Sequence, residues 1–249
     1  MNTSDTADFG FERIPAADKT ERVRRVFEAV ADRYDLMNDV MSLGLHRLWK
    51  RFAVQVSGAR PAAHVLDLAG GTGDCAALYL DRVGSAGRVA VCDINGAMLK
   101  RGRDRLLDEG RVPGLEFVQA DAERLPFQDR SFDCVNIAFG LRNVARREAA
   151  LAEMRRVLCY GGNVVILEFS KVTLPVLARL YDRWSFDVIP ALGELVAGDR
   201  DSYRYLVESI RMFPDQAALT AMMEQAGFGC VESFNLNGGI VAVHRGARI

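Results

Sequence analysis

Apolar residues fall along this chain in two rhythms. From Thr20 to Tyr34, Val23, Val26, Phe27, Val30 and Ala31 recur at intervals of three and four, the spacing that lines one face of a helix. A second helical stretch covers Leu45–Val56 and stops near Ser57-Gly58, with Pro61 just beyond. Residues 1–19 are polar and carry neither rhythm, which predicts a loose segment. After Pro61 short apolar runs alternate with helical stretches. His64–Ala69 leads to a helix through Leu80, and Arg88–Asp93 to a helix over Ala97–Glu109. Leu115–Gln119 and Cys134–Ala138 follow, then a helix over Arg146–Leu158 and a run at Asn163–Glu168. Strands alternating with helices predict a parallel sheet covered on both faces. Cys230–Leu236 and Ile240–His244 flank Asn237-Gly238-Gly239, and Asn-Gly between apolar runs predicts a hairpin, so the sheet finishes antiparallel. Residues 171–212, rich in Leu, Tyr, Trp, Phe and Arg, interrupt the alternation as an insertion over the sheet edge. The expected organisation is an α/β domain over residues 61–249, preceded by a helical extension or lid over residues 1–60.

Composition narrows the classes. The 249 residues are 49% hydrophobic and 26% charged, an ordinary mixture for a chain with a substantial core, which excludes disorder and a disulfide scaffold. Lys plus Arg number 32 against 33 Asp plus Glu, so no global basic field attracts nucleic acid. The five cysteines are scattered without a C-x-x-C pair, and the three histidines are equally dispersed, so no metal site is expected. The N-terminus lacks the apolar core of a signal peptide, and no run approaches the ~18 apolar residues of a membrane span. A cytoplasmic location is expected.

The candidate chemistry begins at Gly71-Thr72-Gly73-Asp74-Cys75-Ala76, which follows a strand and opens a helix. Glycines there allow a tight turn and close approach of backbone to a ligand. Asp93 lies 22 residues after Gly71 at the end of the next strand, where a carboxylate can accept hydrogen bonds from ribose hydroxyls. Strand, glycines, helix and acid together point to a nucleoside site; the competing reading is a plain turn with a solvated Asp. Asp67, Asp74 and Asp81 surround the loop, and no Lys or Arg occurs between His64 and Arg82. That charge would serve a pyrophosphate poorly and suits the ammonium and sulfonium of S-adenosylmethionine. Asp121, after the third strand, could accept from an adenine amino group or simply form a turn.

Four further stretches carry a resemblance. They are Tyr34-Asp35-Leu36-Met37-Asn38-Asp39-Val40-Met41-Ser42-Leu43-Gly44-Leu45-His46-Arg47-Leu48-Trp49, Phe139-Gly140-Leu141-Arg142-Asn143-Val144, Asp201-Ser202-Tyr203-Arg204-Tyr205-Leu206 and Ser209-Ile210-Arg211-Met212. From about residue 20 onward the chain resembles the ubiquinone/menaquinone biosynthesis C-methyltransferase family, among the class I S-adenosylmethionine-dependent methyltransferases. The resemblance implies a Rossmann-like fold with a mostly parallel seven-stranded sheet. It also implies that Thr72, Asp93, Asp121 and Ala122 contact the donor, beside Asp67, Gly71 and Gly73 of the loop region. Ala138 stands where the family usually has Ser, and Cys159-Tyr160-Gly161-Gly162 where it has Lys/Arg-Pro-Gly-Gly.

The implied acceptor is a prenylated hydroquinone, methylated on a ring carbon that becomes nucleophilic when a neighbouring hydroxyl loses its proton. A phenol of pKa about 10 costs roughly 4 kcal/mol to ionise at neutral pH. One charge-assisted hydrogen bond offsets ~1.5–3 kcal/mol of that. Arg142, just past the fourth strand, is the candidate cation; Asn143 would orient the same oxygen or a water, and Tyr34 would close the pocket. His46 and Trp49 read as packing or lid residues. Leu174–Val196 reads either as core or as a groove for a polyprenyl tail near a membrane surface. Peripheral membrane contact, other quinone-biosynthesis proteins and a homo-oligomer stay open as partners. Three rivals also stay open: a dinucleotide-dependent oxidoreductase, a small-molecule O- or N-methyltransferase, and a donor-binding scaffold without turnover.

Overall fold

Alternation along the central strands separates two cores and so decides where the helices must lie. The computed structural model describes residues 6–30, 38–39, 42–173, 175, 181, 184 and 200–249. In strand β3 (His64–Leu68), Leu66 and Leu68 enter one core and Val65 the other, as a two-residue period requires. The second core is roofed by helix α3 (Asp74–Val83), whose Cys75, Ala76, Tyr79 and Val83 pack on Val65 and on Val89 and Val91 of β4 (Arg88–Asp93). The first core is roofed by α5 (Arg147–Val157) and α7 (Gln216–Gln225), through Leu151, Met154, Leu219 and Met223. Each such fully buried aliphatic side chain contributes roughly 1.5–3 kcal/mol.

The remaining strands complete one seven-stranded sheet: β5 (Leu115–Gln119), β6 (Phe132–Ala138), β7 (Leu158–Phe169), β8 (Phe228–Leu236) and β9 (Val241–Arg248). Their spatial order is β5-β4-β3-β6-β7-β9-β8. Pairing from β5 through β7 is parallel, and β9 runs antiparallel to both β7 and β8. This is the mostly parallel sheet with a C-terminal antiparallel hairpin that the alternation predicts. The strand order reverses at β3, so β3 and β6 leave a crevice beyond their carboxyl ends, where open sheets of this kind bind ligands.

Helix α4 (Gly96–Asp108) secures the glycine loop to the sheet. Its Asn95 cap accepts from the Ala97 and Met98 N–H groups. Arg105 Nη2 donates to the Thr72 carbonyl at 2.8 Å. Gly102 lies so close to the loop that a Cβ there would meet the Thr72 carbonyl carbon at 2.7 Å.

The N-terminal segment departs from the loose chain expected over residues 1–19. Strands β1 (Thr6–Phe9) and β2 (Glu12–Pro15) form a hairpin, and α1 runs from Ala16 to Val30. The partners explain the difference. Phe9 stacks on Tyr205 with ring centroids 4.2 Å apart, and the Phe11 N–H donates to Glu208 Oε2 at 3.2 Å. Both partners lie on α6 (Arg200–Met212), so this order comes from contacts almost two hundred residues away. Helix α2 (Leu45–Val56) packs Trp49 and Ala53 on Val165, Leu167, Val241 and Val243 of the sheet. Most of Leu174–Val196, the candidate polyprenyl groove, lies outside the described residues. Among the described residues no helix is long and apolar enough to cross a membrane.

Helix propensity alone favours Ala over Gly by about 1 kcal/mol at an interior position. For Gly102→Ala the opposite sign is expected, a loss of about 1–3 kcal/mol in urea denaturation, because the new methyl meets backbone that cannot yield.

Candidate active site

Three strand ends meet around the first cavity. At β3, Ala69 and Gly71 both take positive φ, 51° and 52°, which swings the chain sharply into α3. The Gly71 N–H donates to Asp93 Oδ2 at 2.9 Å, and the Asn95 N–H donates to Asp93 Oδ1 at 2.8 Å. Asp93 is thereby fixed at the end of β4 with its carboxylate on the cavity wall, and burial pushes its pKa upward against those bonds. Asp121 Oδ1 accepts from the Glu123 N–H at 2.9 Å, so it both forms a turn and lines the cavity. Ala122, Ile94, Met98 and Val144 supply apolar wall.

Charge around this cavity differs from the linear reading. Asp74 is held by Lys50 at 2.8 Å and by Arg105 at 2.9 Å. Burial opposes its ionisation, yet these two cations outweigh burial and hold its carboxyl below the usual range. Asp81 pairs with Arg111 at 3.0 Å. Neither acid lines the cavity. Among the described residues the lining acids are Asp93, Asp121 and Glu123, the last paired with Arg146 at 2.7 Å, and the lining cation is Arg24, itself bonded to Glu21 and Glu28. An acidic wall suits a cationic nucleoside and disfavours a pyrophosphate, the same conclusion reached through different carboxylates.

Asp67, Thr72 and Gly73 do not line the cavity. Asp67 is 1% exposed, and its Oδ1 accepts from Asn136 Nδ2 at 2.7 Å across the β3–β6 pairing. Its Oδ2 has no hydrogen-bond partner among the described residues. Burial, opposed by the Asn136 amide, pushes this carboxyl up to about 7. Thr72 is buried against α4, and Gly73 is the left-handed residue that starts α3.

A second chamber adjoins the first, sharing Phe27, Phe139 and Asn143. Phe169, Tyr203 and Tyr205 give it aromatic walls, and His46, Lys50 and Arg142 line it. Arg142 lies in a 3-10 turn, Leu141–Asn143, at the end of β6. It is 4% exposed and pairs with Glu168 of β7 at 3.1 Å. Its Nη1 also donates to the Phe139 carbonyl, while its Nε has no hydrogen-bond partner among the described residues. Arg142, the candidate cation, is therefore one half of a buried ion pair. Glu168 escaped notice because it reads locally as the end of an apolar strand. Lys19, also missed, is 1% exposed; its Nζ donates to the Arg142 and Val144 carbonyls at 3.2 and 3.0 Å. Burial and Arg147 push its pKa down to about 8. Tyr205 Oη donates to Asn143 Oδ1 at 3.0 Å. Trp49 Nε1 donates to Asn237 Oδ1 at 2.7 Å, tying α2 to the C-terminal hairpin. Tyr34 lies outside the described residues. Among the described residues no group of three His, Cys, Asp or Glu side chains could hold a metal ion.

The model of the ubiE/COQ5 methyltransferase family matches residues 16–248. The chain belongs to this family. A Teredinibacter turnerae protein named "Ubiquinone/menaquinone biosynthesis C-methyltransferase UbiE" is 54% identical, with 100% of both chains covered. The protein of the same name from Ectopseudomonas mendocina is 57% identical over 98% of this chain and 95% of its own. A SAM-dependent methyltransferase from Thermotoga maritima superposes with TM-score 0.65 at 19% identity, covering 90% of this chain and 99% of that one. One from Aquifex aeolicus gives 0.59 at 15% identity, covering 80% and 89%. At such identity the likeness concerns the fold. Membership makes this chain an S-adenosylmethionine-dependent methyltransferase, and the donor chemistry fits the first cavity, whose wall is acidic at Asp93 and apolar at Ile94 and Met98.

Two outcomes check this geometry. In Glu168→Gln the buried guanidinium loses its counter-charge, and a stability loss of about 3–5 kcal/mol is expected by denaturant titration. Because the folded-state pKa of Asp67 lies above its unfolded value of 3.8, the folded protein binds more protons between those values. Stability should therefore fall as pH rises from about 4 to about 7 through this group, and Asp67→Asn should flatten that slope.

Proposed function

We propose that the protein transfers a methyl group from S-adenosylmethionine to a ring carbon of a prenylated hydroquinone. The conversions would be demethylmenaquinol to menaquinol, 2-methoxy-6-polyprenyl-1,4-benzoquinol to its methylated product, or both. The observation that carries this reading is the pairing of two chambers through Phe139 and Asn143, the first acidic and the second aromatic-walled. The names of the full-length relatives support the substrate class. Bound in the first cavity, S-adenosylmethionine supplies an activated methyl group on a sulfonium.

The residues divide the work as follows. Asp93 accepts hydrogen bonds from the ribose hydroxyls while Gly71 keeps the backbone close, and Asp121 and Ala122 hold the adenine. Thr72 and Gly73 shape the loop, and Asp67 supports it from beneath. On the acceptor side, Asn143 and Arg142 hold the ring oxygen whose ionisation activates the neighbouring carbon. Because Glu168 balances its charge, Arg142 acts as a fixed donor through its unpartnered Nε rather than as a free cation. Tyr34 and the N-terminal segment act as a lid, and Leu174–Val196 of the insertion receives the prenyl tail, with the membrane surface and other quinone-biosynthesis proteins as its neighbours. Alignment of donor and ring carbon supplies the larger share of the rate, since well-oriented reactants gain ~7–11 kcal/mol.

The test is transfer of labelled methyl from S-adenosylmethionine to a prenylated benzoquinol and a demethylated naphthoquinol, each offered reduced and oxidised. Label on a ring carbon with reduced acceptors alone is the expected result. Donor binding without transfer to either quinol overturns the substrate assignment and leaves the fold intact.

A further inference from the structure

His46 lines the second chamber and has no task in the scheme above. It is 6% exposed, on the first turn of α2. Its Nε2 lies 2.9 Å from Asp39 Oδ1. The same carboxylate accepts from Arg47 Nε and Nη2, at 2.9 and 2.5 Å, so it is anchored from a second side. A carboxylate in an ion pair only accepts, which requires Nε2 to carry the hydrogen. Nδ1 is then left with a bare lone pair. It is buried and, among the described residues, has no hydrogen-bond partner.

The neighbours keep the ring in that state. Asp39, Arg47 and Lys50 stand around it, with Asp74 beyond Lys50 and Arg142, Tyr203 and Tyr205 lining the same chamber. Burial and the Lys50 ammonium push the imidazole down to about 4, against the pull of Asp39 and Asp74. The ring is neutral at physiological pH, with the acceptor atom preserved.

We propose that His46 Nδ1 accepts a hydrogen bond from a hydroxyl of the ring substrate and thereby selects the hydroquinone over the quinone. A hydroquinone presents a donor to this lone pair. A quinone presents a carbonyl oxygen, so two lone pairs face each other and a buried acceptor stays unsatisfied. The selection serves the chemistry, because only the reduced ring has the electron density to attack a methyl group. An oxidised ring would occupy the chamber without reacting. This inference rests on the quinol reading above and assigns its redox preference to one atom.

The measurement is the dissociation constant of a short-tailed benzoquinol and of its quinone, under anaerobic conditions, with protein loaded with S-adenosylhomocysteine to prevent turnover. The wild type should bind the quinol about tenfold or more tighter than the quinone. In His46→Phe the quinol should weaken to the quinone's level and the quinone should change little, so that the ratio approaches one. Unchanged S-adenosylhomocysteine binding serves as the control for folding. An independent readout comes from the wild-type ring itself. In protein carrying ¹⁵N-histidine, His46 and His244, whose Nε2 donates to the Gln216 carbonyl, should be the two of three histidines with an unprotonated Nδ1, and the His46 signal, identified by its loss in His46→Phe, should stay so from pH 5.5 to 8. That signal should move on adding quinol and stay still on adding quinone. A His46→Phe protein that keeps the wild-type ratio, or an Nδ1 that carries a proton, overturns the proposal. Failure of the wild type to methylate any quinol instead overturns the substrate reading, and the two failures are told apart by the labelled-methyl assay.

Discussion

A guanidinium that is 4% exposed cannot end a strand without a counter-charge, because an unpaired ion taken from water costs several kcal/mol. At Arg142 the counter-charge comes from Glu168, and parallel pairing of β6 with β7 brings the two strand ends side by side, with Ala138 opposite Leu167. The same short turn recruits other parts of the chain. Its carbonyls are capped by Lys19 from α1, and Asn143 is held by Tyr205 from α6. The N-terminal segment, the sheet and the insertion therefore converge on three residues. A partly satisfied version of this network would leave several buried polar groups unpaired, so the chamber forms with the whole chain or not at all.

Charge is distributed by the same economy of pairing. The acids that look most prominent along the chain, Asp74 and Asp81, are used to fasten elements to one another through Lys50, Arg105 and Arg111. Asp67 sits in a column with Asn136 and Tyr79 inside the second core, where Tyr79 Oη donates to Asn136 Oδ1 at 3.4 Å. Two of the acids that line the first cavity, Asp93 and Asp121, stand at or just past strand ends, where backbone N–H groups from the following turn meet them. This arrangement leaves the wall acidic without exposing a large net charge.

The two chambers differ in ways that suit the occupants proposed for them. The first presents fixed carboxylates and the backbone of a glycine turn, which a cationic nucleoside would answer. In the second, Arg142 and Lys50 are matched by Glu168 and Asp74, and the histidine is neutral. Its walls hold hydrogen-bonding atoms without a net field, among Phe139, Phe169 and Tyr205. A neutral aromatic ring with two hydroxyls can enter such a space at little desolvation cost.

Much of the frame was legible before any coordinates. The apolar runs at Arg88–Asp93 and Leu115–Gln119 are strands with those same bounds, and Asn237-Gly238-Gly239 does join an antiparallel pair. Of the residues named from sequence for the donor, Gly71, Asp93, Asp121 and Ala122 line one cavity, while Asp67, Thr72 and Gly73 do not. These features are local: periodicity reports which face of an element is buried, and glycine reports where the backbone must turn. The β1–β2 hairpin, the Arg142–Glu168 pair and the Lys19 clamp were not legible in the same way. Each depends on which side chain stands opposite, and its geometry is fixed only when distant segments are packed together. Local pattern along the chain is enough for the sheet, its crevice and the glycine loop. Which charges hold the fold and which face the cavities follows only from packing, because pairing across long sequence separations has no periodic signature.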